Sequence, residues 1–147
     1  MANILYGAPE SEHEEQNSLV AKLWGEHDIA YFNDFLGFAF ELTLCREIPL
    51  LRIERQYDVI VYDTKSYGES WRPDVRAECF EINMMPFFRK VAVPVIVLAD
   101  EQIKDEISDL VRVKGLFYLP RPYTIEEAVE TINSALMGEK PKYGKLK

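Results

Sequence analysis

Two continuous apolar runs constrain the fold of this chain more than any other feature. They lie in the strands predicted over Asp58–Tyr62 and Val93–Leu98, and neither run alternates between apolar and polar residues. A strand that is apolar on both faces is typical of a parallel sheet that helices cover on both sides. The sequence therefore predicts an α/β protein whose central strands are buried.

Strand-like and helix-like segments alternate along most of the chain. The patterns predict further strands at Asn3–Gly7, Asp28–Phe32 and Leu116–Leu119. They predict helices that begin at a capping box Ser11–Glu14, run from Arg72–Asp74 to about Phe88, cover Glu101–Val111 and cover Ile125–Met137. Five strands alternating with helices predict a three-layer, doubly wound parallel sheet, with the carboxyl ends of its strands along one edge where ligands bind.

The segment Asn33–Glu54 fits two interpretations. Phe38, Phe40, Leu42 and Leu44 alternate as the residues of a strand do. The same residues also fit the first part of a long helix. We favour a helix that ends near Arg55 and has an irregular or extended entry. The aromatic residues of this region are expected to pack mainly in the core, and a solvent-facing patch of them would indicate dimerisation or docking.

Length and charge narrow the class of protein. A chain of 147 residues suits one domain, predicted over residues 1–138, followed by a flexible basic tail over residues 139–147. The formal net charge of −8 disfavours a nucleic-acid partner. No apolar run has the length of a membrane span, and no basic leader precedes the first strand, so we expect a cytoplasmic protein with no membrane contact. Cys45 and Cys79 lack metal-ligand spacing.

Three segments carry a resemblance to a known family. Tyr57–Asp63, Val93–Asp100 and Leu119–Thr124 look like the last three strands of the receiver domain of two-component response regulators. The resemblance implies a flavodoxin-like fold with the strand order 2-1-3-4-5. It places Asp63 at the phosphoacceptor position and Tyr118 at the position of the aromatic residue whose rotamer reports activation.

The same alignment shows what this chain lacks. Ala99 stands where receivers have a Ser or Thr, and Arg121-Pro122 stands where they have Lys-Pro. Gly7-Ala8-Pro9 replaces the acidic pair that holds Mg²⁺, and the nearest carboxylate is Glu10. Because Mg²⁺ is normally anchored by carboxylates, the magnesium site is expected to be severely weakened. The loop Thr64–Trp71 is also longer than the usual one, and its role stays open.

Three roles are open for Asp63. It is a phosphoacceptor, a relic of one that Arg121 holds in a bidentate ion pair, or a simple strand-end acid. Asp100 is a rival partner for Arg121, but it also suits the N-cap of the following helix.

These residues lead to one expected function and two alternatives. We expect a stand-alone, degenerate receiver-like signalling module without enzymatic activity or cofactor, which binds a protein partner or a second copy of itself through its fourth helix, fifth strand and fifth helix, with Tyr118 and Tyr123 as contacts. The first alternative is a true phosphoacceptor that uses Mg²⁺, Asp63, Arg121 and Glu10. The second is a domain that senses a small anionic ligand in the crevice near Gly7, Asp63 and Arg121.

Overall fold

The sheet has the predicted number of strands in the predicted order. A computed structural model of the chain describes residues 2–7, 14–32, 35–44, 57–64, 78, 80–89, 91, 93–99 and 103–141. Within these residues one parallel sheet runs in the order β2-β1-β3-β4-β5, built from β1 (Asn3–Gly7), β2 (Asp28–Phe32), β3 (Val59–Asp63), β4 (Val95–Ala99) and β5 (Phe117–Pro120). The central strands β3 and β4 are buried along their whole length, as their apolar runs predict.

Helices cover both faces of the sheet. They are α1 (Glu14–Trp24), α2 (Phe35–Leu44), α3 (Met85–Phe88), α4 (Lys104–Val113) and α5 (Ile125–Leu136). One core lies under α1 and α5, and the other lies under α2, α3 and α4. Alternate residues of each strand enter different cores, so that Val61 packs on the α1 side and Tyr62 on the α2 side. The three-layer α/β architecture is confirmed.

The helical interpretation that we favoured for Asn33–Glu54 agrees with the structure over the first part of the segment. Residues 35–44 form the helix α2, although we expected an irregular or extended entry there. Phe38 and Leu42, four residues apart, are buried, while Phe40 lies on the opposite side with 66% of its surface exposed. The apolar alternation that suggested a strand therefore reflects a helix that is apolar on nearly all sides. Residues 45–56 lie outside the described part of the chain.

The sequence predicts that the third helix is disturbed near Met84-Met85-Pro86, and the helical geometry changes there. A π-helical turn over Phe80–Met84 leads into α3, which has Pro86 in its first turn and ends at Phe88. A proline is tolerated there because the first-turn N–H groups have no intrahelical partner.

Glycines end the last two helices. Gly115 (φ 72°) and Gly138 (φ 78°) take the left-handed conformation directly after the C-caps of α4 and α5. The following residues donate back into the helices, Leu116 to the Val111 carbonyl and Glu139 to the Ser134 carbonyl. Both ends are thus Schellman motifs, which fix how the chain leaves each helix.

Several predictions fall on residues that lie outside the described part. These are most of the capping box Ser11–Glu14, the helix start Arg72–Asp74, the loop after Thr64, Asp100 with Glu101, and the tail from residue 142 onward. The division into a domain and a flexible tail therefore stays a prediction. In the described segments, no helix combines the length and the apolar character that a membrane span requires.

Candidate functional site

The candidate site lies at the carboxyl edge of the sheet. Asp63 ends β3 and Ala99 ends β4, while Arg121 follows β5. The parallel pairing places Asp63 opposite Leu98, and Ala99 opposite Pro120. The backbone N–H of Arg121 donates to the carbonyl of Ala99 at 2.8 Å and holds the start of the following loop against β4.

Asp63 and Arg121 form an ion pair inside the protein. Arg121 Nη2 lies 2.5 Å from Asp63 Oδ2, and Arg121 Nη1 lies 3.4 Å from Asp63 Oδ1. The Asp63 side chain has no exposed surface, and only 11% of the Arg121 side chain is exposed. Both carboxylate oxygens therefore face one guanidinium, which is the bidentate contact expected under one of the three roles left open for Asp63.

The two residues after Arg121 contribute to the position of its side chain. The peptide bond between Arg121 and Pro122 is cis, as is common for the Lys-Pro step of receivers that it resembles. The Tyr123 ring lies beneath the guanidinium, with 5.5 Å from Arg121 Cζ to the ring centroid, a distance at which a cation and an aromatic face attract each other. The guanidinium is thus held by Asp63 on one side and by Tyr123 on another.

Ala99 supplies no hydroxyl group to the site, and the hydroxyl of the nearby Thr64 is already hydrogen-bonded. Ala99 is completely buried and offers only a methyl group. The Thr64 hydroxyl, next to Asp63 in sequence, donates to the Leu98 carbonyl at 3.3 Å. Thr64 is buried, so this hydroxyl joins β3 to β4. From the sequence we assign Thr64 only to the start of a long loop. Its position directly after Asp63, at the end of a strand, nevertheless indicates that its hydroxyl can bond to a neighbouring strand.

An aromatic ring lies directly beside Gly7, the first of the three residues that the family resemblance places at the missing acidic pair. A Cβ atom on Gly7 would lie 2.5 Å from Phe38 Cδ2. The Phe38 ring is buried and packs against Tyr62 with 5.1 Å between ring centroids. A side chain at residue 7 would therefore collide with the core under α2. Sequence reasoning missed this contact because it depends on how α2 docks on β1.

Tyr6 brings a buried hydroxyl close to the site. Its side chain is fully buried, and its hydroxyl has no hydrogen-bond partner among the described residues. Burial raises the pKa of the Tyr6 phenol well above its ordinary value, and the nearby Tyr123 and Asp63 act in the same direction while Arg121 opposes them. Tyr6 is therefore neutral at physiological pH.

The two predicted partner contacts are largely turned inward. Tyr118 is partly buried against the core under α4, and its hydroxyl donates to the Lys104 carbonyl at 3.0 Å. Tyr123 is only 8% exposed and belongs to the core under α1 and α5. Their use as partner contacts stays a prediction, and the structure leaves little of either ring for an outside protein.

Only one of the two acids proposed for a metal site is described. Asp63 ends β3, whereas Glu10 lies outside the described part of the chain, so the metal site of the phosphoacceptor alternative stays a prediction. Among the residues that are described, no group of three or more His, Cys, Asp or Glu side chains is placed to hold a metal ion.

Several solved structures with a similar fold are receiver domains. The regulatory domain of the repressor of iron transport regulator (RitR), in its inactive form, superposes with a TM-score of 0.63 at 19% identity, covering 97% of this chain and all 100% of that chain. A receiver domain protein from Clostridium thermocellum matches with a TM-score of 0.58 at 19% identity, covering 94% and 96%. The receiver domain of Francisella response regulator 1452 matches with a TM-score of 0.59 at 18% identity, covering 94% and 98%.

This chain has the response-regulator receiver fold. The similarity at these identities shows the fold, and the three-dimensional match spans nearly the whole chain. No protein-family model matches the sequence, and no curated protein matches it. In the receiver fold the edge that carries Asp63, Ala99 and Arg121 is the edge where the family resemblance places the phosphorylation site.

Proposed function

We propose that the chain is a receiver-like signalling module that acts by binding a protein partner, and that magnesium-dependent phosphorylation of Asp63 is lost or severely impaired. The observation that carries this proposal is the buried ion pair between Asp63 and Arg121. It supports a module whose acceptor position is occupied by one of its own cations.

The chemistry of phosphoryl transfer explains why the pair matters. An acceptor oxygen must reach the phosphorus in line, while metal ions and fixed cations neutralise the charge on the equatorial oxygens. In this chain the guanidinium faces both oxygens of Asp63, which has no exposed surface. Transfer would require the pair to open, and a buried ion pair that loses one partner costs about 3–5 kcal/mol.

Residues 7 and 99 make phosphoryl transfer to Asp63 still less favourable. An acid at residue 7 would have to displace Phe38 from the core, and Ala99 has no hydroxyl with which to bind a phosphoryl oxygen. These features favour a module that needs no Mg²⁺ and has no catalytic step. Glu10 is the remaining candidate for a metal ligand under the alternative of a true phosphoacceptor.

The proposed partner surface is the outer side of α4, β5 and α5. The Thr124 side chain accepts from the Glu127 backbone N–H at 3.1 Å and caps α5, while Gly115 and Gly138 end the two helices. The tyrosine hydroxyl of residue 118 joins β5 to the first turn of α4. Because these hydrogen bonds and helix ends hold the three elements in place, the surface is already ordered in the free protein. Less conformational entropy is then lost on binding. We place its partner, another protein or a second copy, in the cytoplasm.

A phosphotransfer experiment tests the proposal. The full chain is incubated with Mg²⁺ and a small phosphodonor, and the added mass is followed for the native protein, for Asp63→Asn and for the double variant Ala99→Thr with Arg121→Lys. We expect no stable phosphorylation of the native chain. Rapid phosphorylation that Asp63→Asn abolishes would overturn the proposal and establish the phosphoacceptor alternative. The double variant reports whether these two departures alone block the reaction.

A further inference from the structure

A groove between the edge strand β5 and the helix α5 is not explained by the candidate site. It has a volume of about 270 Å³, and we call it the β5–α5 groove. The residues on which the argument depends are Phe117, Leu119, Glu127, Glu130, Glu139 and Pro141. Tyr118, Thr131, Ser134 and Lys140 also line the groove, so its three acidic residues outnumber its one basic residue.

The chain itself leads into this groove. After the Schellman turn at Gly138, residues 139–141 line the same groove as β5 and α5. The next six residues are Lys142-Tyr143-Gly144-Lys145-Leu146-Lys147, which we call the basic segment. It follows directly from Pro141, one of the groove residues.

We propose that the basic segment binds in the β5–α5 groove. Its three lysines complement Glu127, Glu130 and Glu139, all of which are exposed. A single exposed ion pair contributes at most about 1 kcal/mol, so several charges and apolar contacts must act together. Tyr143 and Leu146 supply apolar side chains for the part of the groove that Phe117 and Leu119 form.

The length of the segment fits the length of the groove. The helical side runs from Glu127 to Ser134, which is a rise of roughly 10 Å at 1.5 Å per residue. Six extended residues span at most about 20 Å, so the basic segment can follow the groove to its other end. Linkage through Pro141 also makes the binding intramolecular, with an effective concentration in the millimolar range for a short connection.

Binding at this place has a consequence for signalling that rests on the proposed function. The groove is part of the surface of α4, β5 and α5 that we assign to the protein partner. A docked basic segment therefore competes with that partner, and a partner that removes it must supply its own cationic or apolar contacts. Docking itself does not depend on the partner and can be tested without one.

Amide NMR spectra of the full-length labelled chain test the docking. The native chain is compared with a variant that carries Lys142→Glu, Lys145→Glu and Lys147→Glu. We expect changes in chemical shift at Phe117–Leu119 and along Glu127–Ser134, far in sequence from the substitutions. The same groove amides are expected to shift when salt is raised, because salt screens exposed charges.

A substitution inside the groove and a matched substitution outside it provide the control. Glu130→Lys should reproduce the groove shifts of the charge-reversed tail, whereas Glu126→Lys, an exposed acid on the same helix that is not among the groove residues, should leave the basic segment docked. Shift changes confined to the immediate neighbours of the substituted lysines would overturn the proposal. Groove shifts that grow with protein concentration would also overturn it, since they would show that a second copy occupies the groove. A docked segment in a chain that is efficiently phosphorylated would contradict the proposed function and leave the docking intact.

Discussion

The Arg121 guanidinium contacts both carboxylate oxygens of Asp63, a residue 58 positions earlier in the chain. The pair joins the end of β3 to the loop after β5 and lies inside the protein. The contact therefore spans β4, which lies between β3 and β5 in the sheet. The following predictions separate an acceptor position closed by this contact from a site that is open to phosphorylation.

Removing the cation should destabilise the fold strongly. Arg121→Ala leaves the completely buried Asp63 carboxylate without its guanidinium, and we expect the free energy of unfolding to fall by about 3–5 kcal/mol. Urea denaturation measures this change. The matched control is Arg112→Ala, which breaks an exposed pair with Asp109 and should cost no more than about 1 kcal/mol. Equal effects of the two substitutions would show that the Arg121 pair is no stronger than a surface pair.

A side chain at residue 7 should be poorly tolerated. Gly7→Ala places a methyl group 2.5 Å from the Phe38 ring, and overpacking of this kind costs about 1–3 kcal/mol. Gly7→Asp should cost more, because it also buries a carboxylate. Gly25→Ala is the control, since the nearest atom to its Cβ is the Lys22 carbonyl oxygen at 3.6 Å, and thermal denaturation should show little change. A Gly7→Ala protein as stable as the native one would mean that the ring can move aside and that the position is open to an acid.

Two tyrosine hydroxyls should behave in opposite ways. Tyr118→Phe removes a hydrogen bond to the Lys104 carbonyl, and we expect a loss of about 0.5–1.5 kcal/mol. Tyr6→Phe removes a buried hydroxyl without a described partner, so its effect should be neutral or stabilising. Chemical denaturation of the two variants gives the comparison. A large loss of stability in Tyr6→Phe would reveal a partner for that hydroxyl.

The Tyr6 phenol should also lower the free energy of unfolding at alkaline pH. Its pKa in the folded protein is raised above the unfolded value near 10, so the folded state holds a proton that the unfolded state releases above that pH. The free energy of unfolding should therefore be unaffected by Tyr6 below about pH 10 and should fall as the pH rises beyond it. Tyr6→Phe should reduce this alkaline loss. An ultraviolet titration in which all eight tyrosines ionise together near pH 10 in the folded protein would contradict the prediction.

Much of the fold could be predicted because its signals are local. The burial of β3 and β4 follows from the apolar runs of those strands themselves, which can be seen in short stretches of the chain. The helix α2 was harder to predict because apolar residues occupy nearly all its positions, so neither a helical nor a strand period stands out. The capping box at Thr124 and Glu127 was missed, although its spacing was visible in the sequence.

The candidate site could be predicted in part. The pairing of Asp63 with Arg121 followed from strand order, because parallel strands bring their carboxyl ends to one edge. The contact between Gly7 and Phe38 did not follow, since it depends on the depth at which α2 packs on the sheet. The inward placement of Tyr123 was hidden for a similar reason, because a residue between a proline and a helix cap carries no periodic signal of burial.

The most direct test of the account is an amide NMR titration of the full chain with Mg²⁺, followed by beryllofluoride as a mimic of the phosphoryl group. Because the pair between Asp63 and Arg121 closes the acceptor position, we expect the spectrum to remain unchanged at millimolar concentrations. Shifts that cluster at Gly7, Asp63, Ala99 and Arg121 would contradict the account and show a working phosphorylation site.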